Sequence, residues 1–211
     1  MNKEYEIKLI SCQKLCLKLD PGLCEDHFIH EWGLPVFSQF SLESFLDVLT
    51  LVLLEEKVVF VCENKFLLSF TVHLFTRLLP RPFKYPYPAV SLLPDKEEYL
   101  NTPFPVVYGF LSSKKNFLSR NLHQDYRNVY IFLGRGSVQI MSAEPKKHVL
   151  KKRPKTLSES LSKKFRNFGE SNRRVSNVMF TGDEPECGKD KEGICKEIVK
   201  TVNDYLSKEV L

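Results

Sequence analysis

The stretch Ser41–Asn64, SLESFLDVLTLVLLEEKVVFVCEN, changes periodicity in mid-course. In its first half Leu42, Phe45, Leu46, Leu49 and Leu53 recur at helical spacing, and Ser41 stands where an N-cap would. Leu51, Val52 and Leu54 make the last turns apolar on nearly all sides, so a deeply buried helix is expected. After Glu55-Glu56-Lys57 comes Val58-Val59-Phe60-Val61-Cys62, a largely β-branched run bounded by charges, as a buried sheet strand would be. A buried helix feeding a buried strand points to an α/β fold.

Working outward, Asn64 is placed to cap a second helix, in which Phe66, Leu67, Phe70, Leu74 and Leu78 share one face. Pro80 ends it. The segment LPRPFKYPYPAVSLLP that follows is proline-rich and reads as a rigid, non-helical connector. Tyr85 and Tyr87 are expected to pack among those prolines. Asp95 to Leu100 reads as a short helix, Val106 to Leu111 as another strand, and Asn128–Leu133 with Ser137–Met141 as a hairpin across Gly134-Arg135-Gly136. On the amino-terminal side, Glu4 to Ser11 is a short helix or strand, a turn follows at Asp20-Pro21-Gly22, and Pro35 begins the main body.

Charge divides the chain. Residues 141–211 hold 16 Lys/Arg against 11 Asp/Glu, whereas residues 1–140 hold 15 of each, which together give the net +5. Residues 146–174 alone carry 11 basic and two acidic residues. Leu157, Leu161, Phe165 and Phe168 fall at helical intervals within them, with Thr156 as the expected cap. This reads as a basic amphipathic helix. Residues 182–193 read as a charged loop, and Ile194 to Leu211 as a terminal helix with Ile198, Val202, Tyr205 and Leu206 on one face. The expected divisions are therefore 1–33, 34–142, 143–193 and 194–211. With 43% hydrophobic residues and 16 Phe, the chain has material for an aromatic core, which excludes pervasive disorder and a disulfide-stapled miniprotein.

Enzyme motifs are absent. There is no GxxxxGK[ST], no strand-linked GxGxxG, no HExxH and no GxSxG. Cys12, Cys16, Cys24, His27 and His30 match no standard zinc spacing, and Cys12 and Cys16 read instead as sharing a helix face with Leu15 and Leu19. Cys62 reads as core, and Cys187 and Cys195 as reduced thiols. His73 reads as a packed histidine rather than a base. No metal and no cofactor are expected. The amino terminus lacks the apolar core of a signal peptide, and no run reaches the roughly 18 uncharged residues of a span. The expected location is cytoplasmic, with peripheral contact to endomembranes.

Four blocks in order give residues 34–140 a family likeness. They are SLESFLDVLTLVLLEEKVVFVCEN, the helix and turn ending LLPRPFKYPY…LLP, YLNTPFPVVYGFLSS, and NVYIFLGRGSVQI. Together they resemble the central segment of the DENN domain. The resemblance implies a three-layer-like α/β core, a central mixed sheet flanked by helices, here with a basic helical C-terminal extension. It implies a guanine-nucleotide exchange factor or regulator for a Rab-type small GTPase. Family members carry an N-terminal longin-like lobe, and the 33 residues before Leu34 would hold only its final helix and linker. A reduced member is therefore the expectation. The alternative is a non-catalytic scaffold that assembles with a longin-type partner or a membrane surface.

Two loops are nominated for the partner: Ser112, Ser113 and Lys114 at the end of one strand, and Gln124, Asp125, Tyr126 and Arg127 before the next. For an anionic membrane the nominees are Lys151, Lys152, Arg153, Lys155, Lys163, Lys164 and Arg166, with the apolar stripe inserting. Nucleic acid is the weaker alternative for that segment.

Overall fold

The computed structural model describes residues 3–8, 14–19, 29, 33–80, 83, 85–94, 96–120, 127–134, 137–142, 155–175 and 188–209. A hairpin of β1 (Lys3–Lys8) and β2 (Lys14–Leu19) comes first, its register pairing Tyr5 with Leu17 and Ile7 with Leu15. The body then runs α1 (Leu34–Phe37), α2 (Leu42–Leu53), β3 (Lys57–Cys62) and α3 (Lys65–His73). Next come β4 (Ala89–Leu93), β5 (Val107–Leu111), α4 (Lys114–Ser119), β6 (Asn128–Gly134) and β7 (Ser137–Ser142). Two long helices follow, α5 (Lys155–Val175) and α6 (Gly188–Glu209).

Helix α2 begins as its sequence requires, with the Ser41 hydroxyl accepting from the Ser44 amide at 3.1 Å. It stops by a Schellman closure: the Glu56 amide donates to the Leu51 carbonyl at 3.0 Å and the Glu55 amide to Val52 at 3.1 Å. Glu55 has φ 59°, a left-handed position that glycine would occupy without strain.

The main sheet has the order β4-β5-β3-β6-β7. Strands β4, β5, β3 and β6 are parallel and β7 returns antiparallel to β6, so the sheet is mixed. Its two faces follow the strand period of two. Val58, Phe60, Val107, Val129 and Ile131 join one core with α1, α2, α3, α5 and α6. Val59, Val61, Tyr108, Phe110, Tyr130 and Phe132 form a second core closed by Phe117 of α4. The first is a phenylalanine cluster, with Phe45 at 5.2 Å from Phe165 and 5.7 Å from Phe75, centroid to centroid. The expected mixed sheet between helices is the observed architecture.

The details differ from the sequence reading in five places. Residues Lys14–Leu19, expected to place Cys16 on a helix face, are a strand. The helix from Lys65 does not keep one face: it widens into a π turn over Leu74–Leu78, where the Leu79 amide donates to Leu74 at 2.9 Å. Its buried positions are Leu68, Thr71, Val72, Leu74, Phe75, Thr76 and Leu78, while Phe66, ahead of the π turn, stands out in solvent. The proline-rich connector ends in β4, an edge strand that period alone did not mark. Its partner β5 carries Gly109 where a Cβ would collide with the Ser91 carbonyl. Thr156 lies inside α5, which begins at Lys155. The charged loop is shorter than expected, since α6 starts at Gly188. Cys12, Cys24, His27, His30, Cys187, Gln124, Asp125, Tyr126, Lys151, Lys152 and Arg153 lie outside the described residues, as do Arg135 and Gly136 of the hairpin turn.

Candidate functional site

The chain leaves β3 by α3 on one face of the sheet and reaches β6 from β5 by α4 on the other. Where consecutive connections part to opposite faces, the carboxyl ends of the strands between them open a crevice, the usual ligand position of parallel sheets. Here that crevice has a volume of about 790 Å³. It is walled by the ends of β3, β5 and β6, the first turn of α3 and the start of α4.

Each wall has a local cause. Asn64 Oδ1 accepts from the Phe66 and Leu67 amides at 3.0 and 3.1 Å, which starts α3 at the rim. Ser113 Oγ accepts from the Asn116 amide at 3.0 Å and starts α4. The Ser112 amide donates to the Cys62 carbonyl at 3.0 Å and extends the β3–β5 pairing by one step. Two large apolar side chains are left at the rim, Phe66 at 52% exposure and Leu111 at 48%. Lys65 lies 5.1 Å from the Phe66 ring centroid, and Lys114 lies 5.5 Å from that of Phe132 while bonding Gln139 Oε1. The crevice thus presents apolar knobs edged by ammonium groups, with Glu63 as an acidic lining residue.

Of the sequence nominees, Ser112, Ser113 and Lys114 all line this crevice. The two serine hydroxyls are engaged, Ser113 as a cap and Ser112 donating to the Ser113 carbonyl at 3.1 Å, so Lys114 carries the charge there. Arg127 is not brought to them. It precedes β6, at the opposite end of the parallel strands. Phe66, Leu111 and Lys65 were missed. Phe66 was counted on the buried face of its helix, and Leu111 was read only as the end of a strand. An apolar residue closing a parallel strand just ahead of a polar cap was the available signal.

Titration within the crevice does not suit nucleophilic chemistry. Burial pushes the Cys62 thiol up from its ordinary range, against the lowering effect of the Asn64 amide, which donates to its sulfur at 3.4 Å. His73, about 12 Å along α3 from its start, does not line the crevice. Burial, then the Arg77 charge, lowers its pKa below 6.5. Among the described residues no group of three or more His, Cys, Asp or Glu could hold a metal ion. Among them also no helix is long and apolar enough to cross a membrane.

A second hollow of about 350 Å³ lies at the amino end of β3, lined by Leu53, Glu55, Phe83, Tyr85 and Leu206 among others. There the Tyr87 hydroxyl donates to Glu55 Oε2 at 2.8 Å, and the Tyr85 and Tyr87 rings meet at 5.9 Å. Tyr85 is also packed against the first core, so the contacts of the two tyrosines reach beyond the proline-rich connector.

The basic helix has its own geometry. Leu157, Leu161 and Phe165 are buried in the first core, at 1%, 0% and 8% exposure. The described part of the stripe expected to insert into lipid is therefore packed against α2 and the phenylalanine cluster, and the Phe168 side chain lies outside the described residues. Lys155, Lys163 and Arg166 are exposed, and Lys164 is bound to Glu197 of α6 at 2.6 Å. That pair holds the Glu197 carboxyl below its ordinary range.

Comparison with curated proteins found no match for the chain. Comparison with family models found one: the DENN (AEX-3) domain, over residues 13–132. The match opens 21 residues ahead of Leu34, takes in β2, and ends at Phe132 within β6. It covers 120 of 211 residues, and by that match the chain belongs to the DENN domain family.

Proposed function

We propose that this chain is a guanine-nucleotide exchange factor or regulator of a Rab-type small GTPase, and that the GTPase docks on the crevice at the carboxyl ends of β3, β5 and β6. Regulation of Rab-type GTPases is the family-level role of DENN domains. One observation supports the placement: Phe66 and Leu111, half exposed, flank a single crevice between Lys65 and Lys114. Interface energy concentrates in a few large apolar side chains surrounded by polar groups. Exchange also needs no covalent chemistry. A factor that binds the nucleotide-free GTPase more tightly than the loaded one must, by reciprocity, weaken nucleotide binding by the same ratio.

The test is release of a fluorescent GDP analogue from a panel of Rab-type GTPases. The chain should accelerate release from at least one member. Phe66→Ala and Leu111→Ala should each reduce that acceleration by about tenfold or more, as hot-spot truncations do. If no member responds, the exchange reading fails. Crevice-dependent binding without exchange would then identify the scaffold.

A further inference from the structure

We propose that the outward face of α5 is an adhesion surface for anionic phospholipid bilayers, acting by charge alone and without insertion. At about 100° per residue, Lys155, Lys163 and Arg166 fall within an arc of roughly 80°, opposite the arc of Leu157, Leu161 and Phe165. The apolar arc is buried against α2 and the phenylalanine cluster. The basic arc is exposed, and among the described residues no carboxylate pairs with any of its three cations. Glu159 and Glu170 are the two acids whose helix positions fall within the arc, against these three cations and Arg173. Lys164 points to α6 and is matched by Glu197, so it does not count toward the surface.

The surroundings make the excess charge unusual for a solvated face. Residues 146–174 carry 11 basic residues against two acids, whereas residues 1–140 are neutral. A helix of 21 residues is about 31 Å long, enough to lie flat on a headgroup layer. Its described exposed residues, Lys155, Thr156, Glu159, Ser160, Lys163, Arg166 and Asn167, include no aromatic ring on which a base would stack, which favours a phosphate surface over single-stranded nucleic acid. The burial of the stripe makes the binding mode specific. Attraction must follow Coulomb's law and salt, not lipid packing or curvature.

The experiment is co-sedimentation of the full chain with vesicles of phosphatidylcholine alone and with about 30 mol % phosphatidylserine, because anionic lipid sets the surface potential. The chain should sediment with the second and not the first, and raising salt from about 0.1 M to about 0.5 M should release it. Each basic residue near such a surface changes the partition coefficient about fivefold, so Lys155→Ser, Lys163→Ser and Arg166→Ser combined should lower it roughly a hundredfold. Glu159→Gln should raise it several-fold. All four positions are exposed, and unchanged circular dichroism checks the fold. Equal binding to both vesicle types, indifference to the triple substitution, or preferential capture by duplex DNA added in competition would each overturn the proposal. GDP release from a soluble GTPase should be unaffected by the triple variant, so the two readings fail separately.

Discussion

Replacing Phe165 by alanine tests whether the basic carboxyl-terminal helix is part of the folded body. Phe165 is 8% exposed, with ring centroids 5.2 Å from Phe45 and 6.4 Å from Phe37. Truncating a buried phenylalanine removes its transfer energy and leaves a cavity, which together cost about 3–5 kcal/mol. Phe165 also makes two aromatic contacts, each worth about 0.5–1.5 kcal/mol beyond buried area. Its slight exposure and its place near the core edge favour the lower part of the range, so the expected loss is about 3–4 kcal/mol. Against a total stability of roughly 5–15 kcal/mol, that is a large fraction. Urea unfolding followed by circular dichroism reads it as a fall in midpoint at unchanged slope. Phe66→Ala is the control, because a half-exposed ring outside the core should change stability by no more than about 0.5 kcal/mol. A loss below about 1 kcal/mol for Phe165→Ala would refute the packing of α5 on α2.

Two further outcomes follow from the sheet and from α3. Gly109→Ala places a methyl group on the Ser91 carbonyl and 3.0 Å from Leu68 Cγ; backbone cannot yield as a side chain can. A loss of about 3 kcal/mol is expected, with amide exchange rising first in Ala89–Leu93, and unchanged exchange there would contradict the close approach of β4 and β5. His73 has a folded-state pKa lowered chiefly by burial and next by Arg77, so the unfolded chain takes up its proton first on acidification. Its contribution is therefore complete above about pH 6.5, declines as pH falls through that value, and levels off below the folded pKa. Urea midpoints of His73→Gln, measured between about pH 8 and pH 5, should show a shallower decline than the parent chain, and parallel curves would count against the buried setting.

The parts of the fold that were legible in sequence are those where one period persists. Leu42–Leu53 keeps the helical period behind a capping serine, and β6 with β7 forms the hairpin expected across Gly134-Arg135-Gly136. Legibility failed where tertiary contacts set the local structure. The π turn at Leu74–Leu78 shifts the buried face by a fraction of a turn, which spacing cannot foretell. Strand β4 follows a proline run, and its form depends on pairing with β5 around Gly109. The crevice was half legible. Ser112, Ser113 and Lys114 could be placed at a strand end, but that β3 lies between β5 and β6 is a property of topology, carried by no periodicity.

Topology also changes what the charge division means. Counted along the chain, the basic third looks like an appendage to a neutral body. Yet one face of the sheet is closed by residues from both parts: Phe45 and Phe75 from the first, Leu157, Phe165, Ile198 and Leu206 from the second. A five-stranded sheet with apolar side chains on both faces needs a layer on each, and α4 with its neighbours covers only the other face. The basic helix is therefore amphipathic because one side of it completes the core, which leaves its cations on the outside as a necessary consequence. The crevice depends on the same packing, since α3, whose first turn forms the rim, rests on β3 beside α2. Core substitutions in α5 should therefore disturb the proposed GTPase docking and the proposed membrane adhesion together. Substitutions at exposed positions, Phe66 and Leu111 on one side and Lys155, Lys163 and Arg166 on the other, are the ones that can separate the two proposals.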